Sequence, residues 1–145
     1  MLRCRLPAAA VVAVCILISA CGSEPQPPLV ATDIVIIAAM PGKQMTAGYL
    51  ALTNHTNAAI SITSVSSPEF ESVEIHESLL DDGVAKMRRI AELSIPANTT
   101  ITLERGGKHL MLMRPTGTSS QVTLSFQSGD STLLSVRAPF TPRNN

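Results

Sequence analysis

Between Leu29 and Phe140 the chain consists of short apolar or alternating segments separated by clusters of Asn, Asp, Gly, Ser and Pro. Helical periodicity is not sustained anywhere in this stretch, whereas Val122, Leu124 and Phe126 alternate with polar residues as in a half-buried strand. Short segments at this spacing favour an antiparallel sandwich or barrel forming a single domain. The predicted strands are Thr32–Ala39, Ala47–Thr53, Ala59–Val65, Glu69–Leu79, Val84–Ile90, Thr99–Glu104, Lys108–Met113, Gln121–Gln127 and Thr132–Arg137.

The first twenty residues are typical of a secretory signal. A basic start over residues 1–5 precedes an apolar stretch from Leu6 to Ile18, which is short for a membrane span. The stretch ends in Ile18-Ser19-Ala20-Cys21, which resembles the bacterial lipobox and would make Cys21 the lipidated first residue. The alternatives are an ordinary signal peptide with Cys21 near the cut by chance, or an uncleaved anchor.

The segment behind Cys21 is polar and rich in proline, as in a tether. The sequence therefore predicts four parts: a lipoprotein signal peptide over 1–20, the lipidated Cys and tether over 21–28, a folded domain over 29–140 and a tail over 141–145. With Cys4 and Cys15 in the signal and Cys21 lipidated, the folded domain contains no cysteine. It thus has neither a disulfide nor a thiolate ligand.

Charge and composition argue against several classes of ligand. The whole chain has 11 basic and 11 acidic residues, and removing residues 1–20, which contain two Arg and no acid, leaves a small negative excess. A nucleic-acid footprint is therefore not expected. Three Phe, one Tyr and no Trp also leave little surface for stacking sugars or bases.

The residues that carry chemistry fall in two places, of which the first contains His76 and Met87. A four-residue loop at Leu80–Gly83 would place the two side chains directly opposite each other, about 5 Å apart at Cβ. A two-residue Asp82-Gly83 turn would make them diagonal neighbours on the same face, and an odd loop length would separate the faces.

The second place is the segment from Lys108 to Met113. In a strand, His109, Met111 and Met113 share one face, while the intervening leucines share the other and can fill the core. Soft thioether and intermediate imidazole donors, without carboxylate or thiolate, favour Cu(I) over zinc or calcium. The plain alternative is that the methionines fill the core and both histidines lie at the surface.

The spacing of four of these residues resembles the copper-binding signature H(M)-x10-M-x21-H-x-M of the periplasmic copper chaperones called PCuAC. His76, Met87, His109 and Met111 match it at all three spacings. The surroundings are also similar, and the resemblance covers most of Thr32 to Arg137. The most similar segments are Val73-Glu74-Ile75-His76-Glu77, Asp82-Gly83-Val84, Lys86-Met87-Arg88, Leu93 to Ala97, Gly106 to Met113 and Ala47-Gly48-Tyr49-Leu50 running into Asn54.

The resemblance implies an all-β, cupredoxin-like Greek-key β-sandwich over residues 29–140. It implies one Cu(I) bound by His76, Met87, His109 and Met111, in a carrier that supplies the CuA centre of cytochrome oxidase. Two departures stand out. Glu77 occupies the position of the bracketed Met, and the tail over 141–145 is not rich in His or Met, so we expect one main site and no extra Cu(II) site.

The sequence motifs do not support an enzymatic or electron-transfer function. His76-Glu77 begins like a metalloprotease motif, but position 80 is Leu and the segment is predicted to be a strand. Blue-copper electron transfer requires a Cys thiolate, which the folded domain lacks. There is also no nucleophile elbow of the G-x-S-x-G type.

Three further features of the sequence lie outside the four positions of the copper-binding signature. His55 is interpreted as a solvated turn residue, and Arg88-Arg89 as a solvated strand end of which one Arg could meet an acidic partner. Met40 and Met45 flank Pro41-Gly42 and could lie near a copper-loading surface, although a loop tolerates methionine without function.

We therefore expect a monomeric, lipid-anchored copper chaperone on the periplasmic side of a bacterial membrane, with a copper-accepting protein as its partner. Gly22 stands where an Asp would resemble an inner-membrane retention signal, which favours the outer membrane. The alternative function is that of a structural or protein-interacting β-sandwich lipoprotein without metal.

Overall fold

The computed structural model describes residues 26–143, which form an all-β structure. In this part of the chain, no helix has the length and apolar character needed to cross a membrane. The strands over residues 26–143 are β1 (Leu29–Ile37), β2 (Met45–Asn54), β3 (Ile60–Ile62), β4 (Ser64–Ser66), β5 (Phe70–Asp81), β6 (Val84–Ile90), β7 (Leu93–Ile95), β8 (Thr100–Leu103), β9 (Lys108–Pro115), β10 (Gln121–Ser128) and β11 (Ser131–Thr141).

The main sheet closes on itself. Its strand order is β1-β11-β10-β4-β5-β9-β2-β8, and β1 also pairs with β2, which joins the two sides. The first and last strands, β1 and β11, run parallel, whereas the other pairings of the described strands are antiparallel. Strand β6 extends the sheet beyond β5, and β3 pairs with β7 in a separate two-stranded sheet. The predicted all-β sandwich is confirmed.

The core lies inside the closed sheet and is built from the apolar half of each alternating strand. In β10, Val122, Leu124 and Phe126 are buried, whereas Thr123 and Ser125 are only half-buried, as the alternation predicts. The core also includes Leu110 and Leu112 of β9, which are fully buried. These leucines fix which face of β9 points inward.

A close approach between strands holds β2 against its neighbours. A Cβ added at Gly48 would lie 2.8 Å from Ile36 Cδ1 and 3.2 Å from Leu112 Cδ1, so a side chain there would force the core apart. Glycine at this position lets β2 pack tightly between β1 and β9. The outer face of β2, at Ala47 and Tyr49, is thereby held beside β9.

One predicted strand is divided in two in the structure, and one short strand was not predicted. The single strand predicted over Ala59–Val65 is divided at Thr63, because β3 pairs with β7 while β4 joins β10 and β5. Strand β7 was not predicted at all, since three residues show no periodicity. The other predicted strands are present, with ends that differ by a few residues, and Val84–Ile90 has the predicted bounds.

Candidate metal centre

Strand β9 separates its side chains as the alternation predicts. Leu110 and Leu112 point into the core, while His109, Met111 and Met113 lie on the opposite face. His109 is nevertheless only 5% exposed, because neighbouring residues cover that face around it. Met111 and Met113 are half-buried. The histidine is therefore shielded from bulk water without belonging to the apolar core.

The pairing of β5 with β9 brings the two predicted histidine ligands together. His76 is the direct register partner of His109, and one step along the same face Glu74 is the partner of Met111. The centroids of the two imidazole rings are 6.2 Å apart, with an angle of 58° between the rings. A gap of this size leaves room for an ion bound by one nitrogen from each ring.

The hairpin from β5 to β6 places Met87 near these histidines. Asp82 and Gly83 form a two-residue turn in which both φ angles are positive, 50° and 77°, as a type I′ turn requires. Met87 consequently pairs with Ser78, and His76 and Met87 are diagonal neighbours on the same face. Of the three loop geometries considered for the sequence, the structure adopts the two-residue one.

Three of the four predicted ligands line one open pocket. Met87, His109 and Met111 share its wall with Ala47, Tyr49, Ser78, Arg105 and Gly106. His76 adjoins the pocket as the cross-strand neighbour of His109. Met87 is the most accessible of the four, with 55% of its surface exposed. The structure thus brings the four side chains into one neighbourhood with a gradient from buried imidazole to exposed thioether.

Each histidine has one ring nitrogen engaged and one free to bind a metal. His109 Nδ1 lies 3.1 Å from the Gly107 carbonyl, to which it donates, so its Nε2 lone pair is available. His76 Nε2 lies 2.8 Å from Glu74 Oε2, while its Nδ1 is buried without a hydrogen-bond partner among residues 26–143. A buried nitrogen in this condition is costly unless something binds it. A soft ion between the rings would satisfy it.

Glu74 supports His76 from the same face. One of its carboxylate oxygens accepts from His76 Nε2, and the other lies 3.6 Å from Arg89 Nε. A carboxylate that holds the second nitrogen of a ligand histidine fixes the tautomer and the ring orientation. Sequence reasoning did not single out Glu74 as a functional residue, although its position two residues before His76 on a strand places it on the same face.

Tyr49 and Arg105 are further pocket residues that sequence reasoning missed. The Arg105 guanidinium carbon lies 5.4 Å from the centroid of the Tyr49 ring, a cation–π contact that closes one side of the pocket. The two residues come from β2 and the turn after β8, so only the tertiary structure brings them to β9. Tyr49 lies in a segment that resembles the PCuAC family, but neither residue carries a local signal that places it at the pocket.

Glu77 lies on the face opposite His76. It accepts hydrogen bonds from Lys108 and Arg88, which lower the pKa of its carboxyl group. Arg88 and Arg89 are both largely exposed, as predicted for a solvated strand end, and within the chain Arg88 pairs with Glu77 while Arg89 Nε lies 3.6 Å from Glu74 Oε1. The acidic side chain that replaces the bracketed Met of the signature is thus committed to structural ion pairs.

The donor types limit which ion the pocket can hold. Residues 26–143 contain no cluster of three or more His, Cys, Asp or Glu side chains arranged to bind a metal. Two imidazoles with two thioethers form a soft, neutral set, which suits Cu(I) better than the harder divalent ions.

Cys21 lies outside the described residues, and His55 is exposed in the turn after β2, as predicted.

Comparison with protein families identifies the domain. The family described as "Putative lipoprotein LpqE-like" matches residues 29–139. The chain belongs to this family. A curated relative, the "Uncharacterized protein RP573" of Rickettsia prowazekii, is 28% identical over 95 residues, which cover 61% of this chain and 52% of that protein. The "Putative lipoprotein Lxx21020" of Leifsonia xyli subsp. xyli is 29% identical over 101 residues, which cover 66% of this chain and 61% of that protein. The chain therefore spans between half and two thirds of the length of these curated relatives.

Solved structures show the same fold. The copper-bound PCuAC domain of PmoF2 superposes with a TM-score of 0.63 at 17% identity, covering 80% of this chain and 94% of that domain. The Cu(I) form of DR1885 from Deinococcus radiodurans superposes with a TM-score of 0.55 at 29% identity, covering 84% of this chain and 82% of that protein. Its apo form gives a TM-score of 0.58 at 25% identity, covering 98% of this chain and 97% of that protein. The likeness confirms the predicted cupredoxin-like fold.

Proposed function

We propose that this protein is an extracytoplasmic copper chaperone that binds one Cu(I) tightly through His76, Met87, His109 and Met111. It passes the ion to a copper-accepting protein, for which the PCuAC resemblance points to the CuA centre of cytochrome oxidase. The fold shared with the copper-bound PmoF2 domain and with Cu(I)-bound DR1885 supports this role. The role is that of a carrier rather than of an enzyme.

The observation that carries the proposal is the arrangement of free donors at one pocket. Two histidines on paired strands each keep one nitrogen available, and Met87 and Met111 line the pocket next to them. A purely structural sandwich does not need a buried nitrogen without a partner or an exposed methionine pointing into the same pocket.

The exposure gradient of the donors suits a carrier. Met87 lies on β6, which among the described strands pairs only with β5, and it is more than half exposed. An acceptor thiolate or imidazole can therefore replace Met87 first, while the shielded His109 holds the ion until later. Exchange of ligands one at a time lets copper move without being released to water.

We further propose that Cys21 is lipidated and anchors the domain to the periplasmic side of a bacterial membrane, with the outer membrane favoured. The family description and the lipoprotein name of the Leifsonia xyli relative support an anchor. In this proposal residues 1–20 are the removed signal, 21–28 the tether, 29–140 the copper-binding domain and 141–145 a tail, and the domain acts as a monomer.

A Cu(I) titration against a competing chelator tests the proposed site. The cysteines of the full chain are first replaced by Ser, since thiolates would bind Cu(I) themselves. A variant with Ala at His76, Met87, His109 and Met111 is expected to lose the tight equivalent, because all four donors are gone.

The matched control carries Ala at His55 and Met40, which have the same donor types and are exposed away from the pocket. It is expected to keep the tight equivalent. Equal Cu(I) affinity in the quadruple variant and the wild type would reject the site and leave the metal-free structural lipoprotein as the remaining function.

A further inference from the structure

The face that holds the proposed copper site continues one step farther along β9. The pairs His76 with His109 and Glu74 with Met111 are followed by Ser72 with Met113 across β5 and β9. On the other side of β9, Met113 pairs with Met45 of β2. The proposed chaperone site uses neither Met45 nor Met113.

The register makes the two unused methionines direct neighbours. Residues directly opposite each other in an antiparallel pair have Cβ atoms about 5 Å apart. The Met side chain is unbranched, with three rotatable bonds, so two sulfur atoms can turn toward one ion between the strands. Same-face residues along a strand lie about 7 Å apart, so Met111 is the next thioether along β9.

Core packing does not account for this pair. The inward face of β9 is already filled by Leu110 and Leu112, and Met45 is 53% exposed. Met113 is half-buried on the outer face. Met45 leaves apolar surface in contact with water, and neither methionine fills the interior of the sandwich.

The surroundings of the pair favour a soft ion. The register partner of Met113 on β5 is Ser72, which is neutral, and the next side chain on the same face, Glu74, is paired with His76 and Arg89. These two same-face neighbours on β5 thus offer no free carboxylate, which a hard divalent cation would require. Neutral thioethers alone suit Cu(I) and its analogue Ag(I).

We propose that Met45 and Met113 form a second, weaker Cu(I) site that loads the chaperone. An ion captured there reaches Met111 by ligand exchange and then the two imidazoles, with no change in oxidation state. The loading site is inferred from the pairing of Met45 with Met113. Only the transfer of the ion to the two imidazoles depends on the proposed function.

Methyl NMR of the cysteine-free full chain, labelled with ¹³C at the methionine ε-methyl groups, tests the loading site with Ag(I) as the probe. The first equivalent is expected to shift the methyl signals of Met87 and Met111. The second equivalent is expected to shift those of Met45 and Met113, while Met40, which lines a different pocket, stays unchanged. A second equivalent that leaves Met45 and Met113 unchanged would overturn the loading site.

The substitutions Met45→Leu and Met113→Leu, alone and together, preserve apolar volume and remove the thioethers. In the double variant, the affinity for the second equivalent of Ag(I) is expected to fall at least about tenfold. The affinity for the first equivalent is expected to change less than about threefold. Met45→Leu alone lies at an exposed position, so it tests the site even if Met113→Leu perturbs folding. An unchanged affinity for the second equivalent of Ag(I), in both Met45→Leu and the double variant, would reject the site.

Lowering the pH separates the two proposals. Protons compete with metal for imidazole but not for thioether. At about pH 5 the affinity for the first equivalent is therefore expected to fall, while the affinity for the second stays the same. If Met45 and Met113 respond to Ag(I) while Met87 and Met111 do not, the loading site stands and the chaperone site fails. The reverse response overturns the loading site and retains the chaperone site.

Discussion

Glu74 provides a sharp test of how the copper site is organised, because it touches a proposed ligand without being one. Its carboxylate accepts a 2.8 Å hydrogen bond from His76 Nε2, which leaves His76 Nδ1, buried without a hydrogen-bond partner among the described residues, as the nitrogen for the proposed ion. In Glu74→Ala the imidazole loses the partner that fixes its tautomer and orientation. We expect a lower Cu(I) affinity with an unchanged number of bound ions.

The magnitude follows from the environment of that hydrogen bond. A hydrogen bond to a charged group contributes about 1.5–3 kcal/mol. Because the Glu74 side chain is 27% exposed and shares its charge with Arg89, the lower end applies. About 1.5 kcal/mol corresponds to roughly a tenfold loss of affinity. Glu74→Gln keeps an accepting oxygen without the charge, so its loss of affinity should be smaller than that of Glu74→Ala.

The assay is Cu(I) competition with a chromophoric chelator, combined with ¹⁵N NMR of the imidazole rings. Glu77→Ala is the matched control, because Glu77 lies on the same strand but on the opposite face, paired with Lys108 and Arg88. It removes one negative charge without touching His76. In the wild type the His76 proton should reside on Nε2, and in Glu74→Ala the two tautomers should mix.

Two results would contradict a positioning role for Glu74. An affinity for Glu74→Ala equal to that of the wild type would show that the carboxylate does not position His76. A loss in Glu77→Ala as large as in Glu74→Ala would show that net charge, rather than the hydrogen bond, sets the affinity.

Three other predictions concern the pH dependence of copper binding, the stability of the fold and the lipid anchor. Cu(I) affinity should fall on acidification, by up to about a hundredfold per pH unit where protons displace the ion from both imidazoles, since two protons then exchange for one ion. His109→Met should flatten this slope toward about tenfold per unit, and parallel curves would exclude His109 as a ligand. Partial burial opposes ionisation of Glu69, but hydrogen bonds from the Thr123 amide and the Ser67 and Thr123 hydroxyls prevail and lower the pKa of the Glu69 carboxyl group. The stability that this carboxylate contributes is therefore present above its unfolded-state pKa and is lost as the pH falls through the lowered folded-state pKa. Chemical denaturation should show Glu69→Gln less stable at pH 7 and with a smaller loss of stability on acidification, and an unchanged pH dependence would contradict the assignment. Cys21→Ser should abolish lipidation and membrane partitioning, and mass spectrometry finding an unmodified N-terminus in the wild type would overturn the anchor.

Local patterns in the sequence predict much of the fold, and they fail where pairing is not local. The alternation in β10 and β9 identifies the buried face of each strand, and both assignments are correct. The break at Thr63 has no such signal, since β3 and β4 belong to different sheets only because of their distant partners. Segments of three residues such as β7 are too short to show a period.

The same distinction holds at the candidate site. Strand alternation predicts that His109 and Met111 share a face, and the Asp82-Gly83 sequence is typical of the two-residue turn that places Met87 beside His76. The direct pairing of His76 with His109 depends on the register of β5 on β9, strands more than 25 residues apart, which no local pattern fixes. Arg105 and Tyr49 are likewise brought to the pocket by the packing of distant strands, which no local pattern fixes.

X-ray absorption at the copper edge of the Cu(I)-loaded, cysteine-free chain is the direct test of the proposed His/Met donor set, because it reports the donor atoms themselves. With one equivalent bound, we expect a Cu(I) edge and a first shell of two nitrogen and two sulfur donors, reduced to one nitrogen in His76→Ala. A shell of oxygen donors, or one that His76→Ala leaves unchanged, would contradict it.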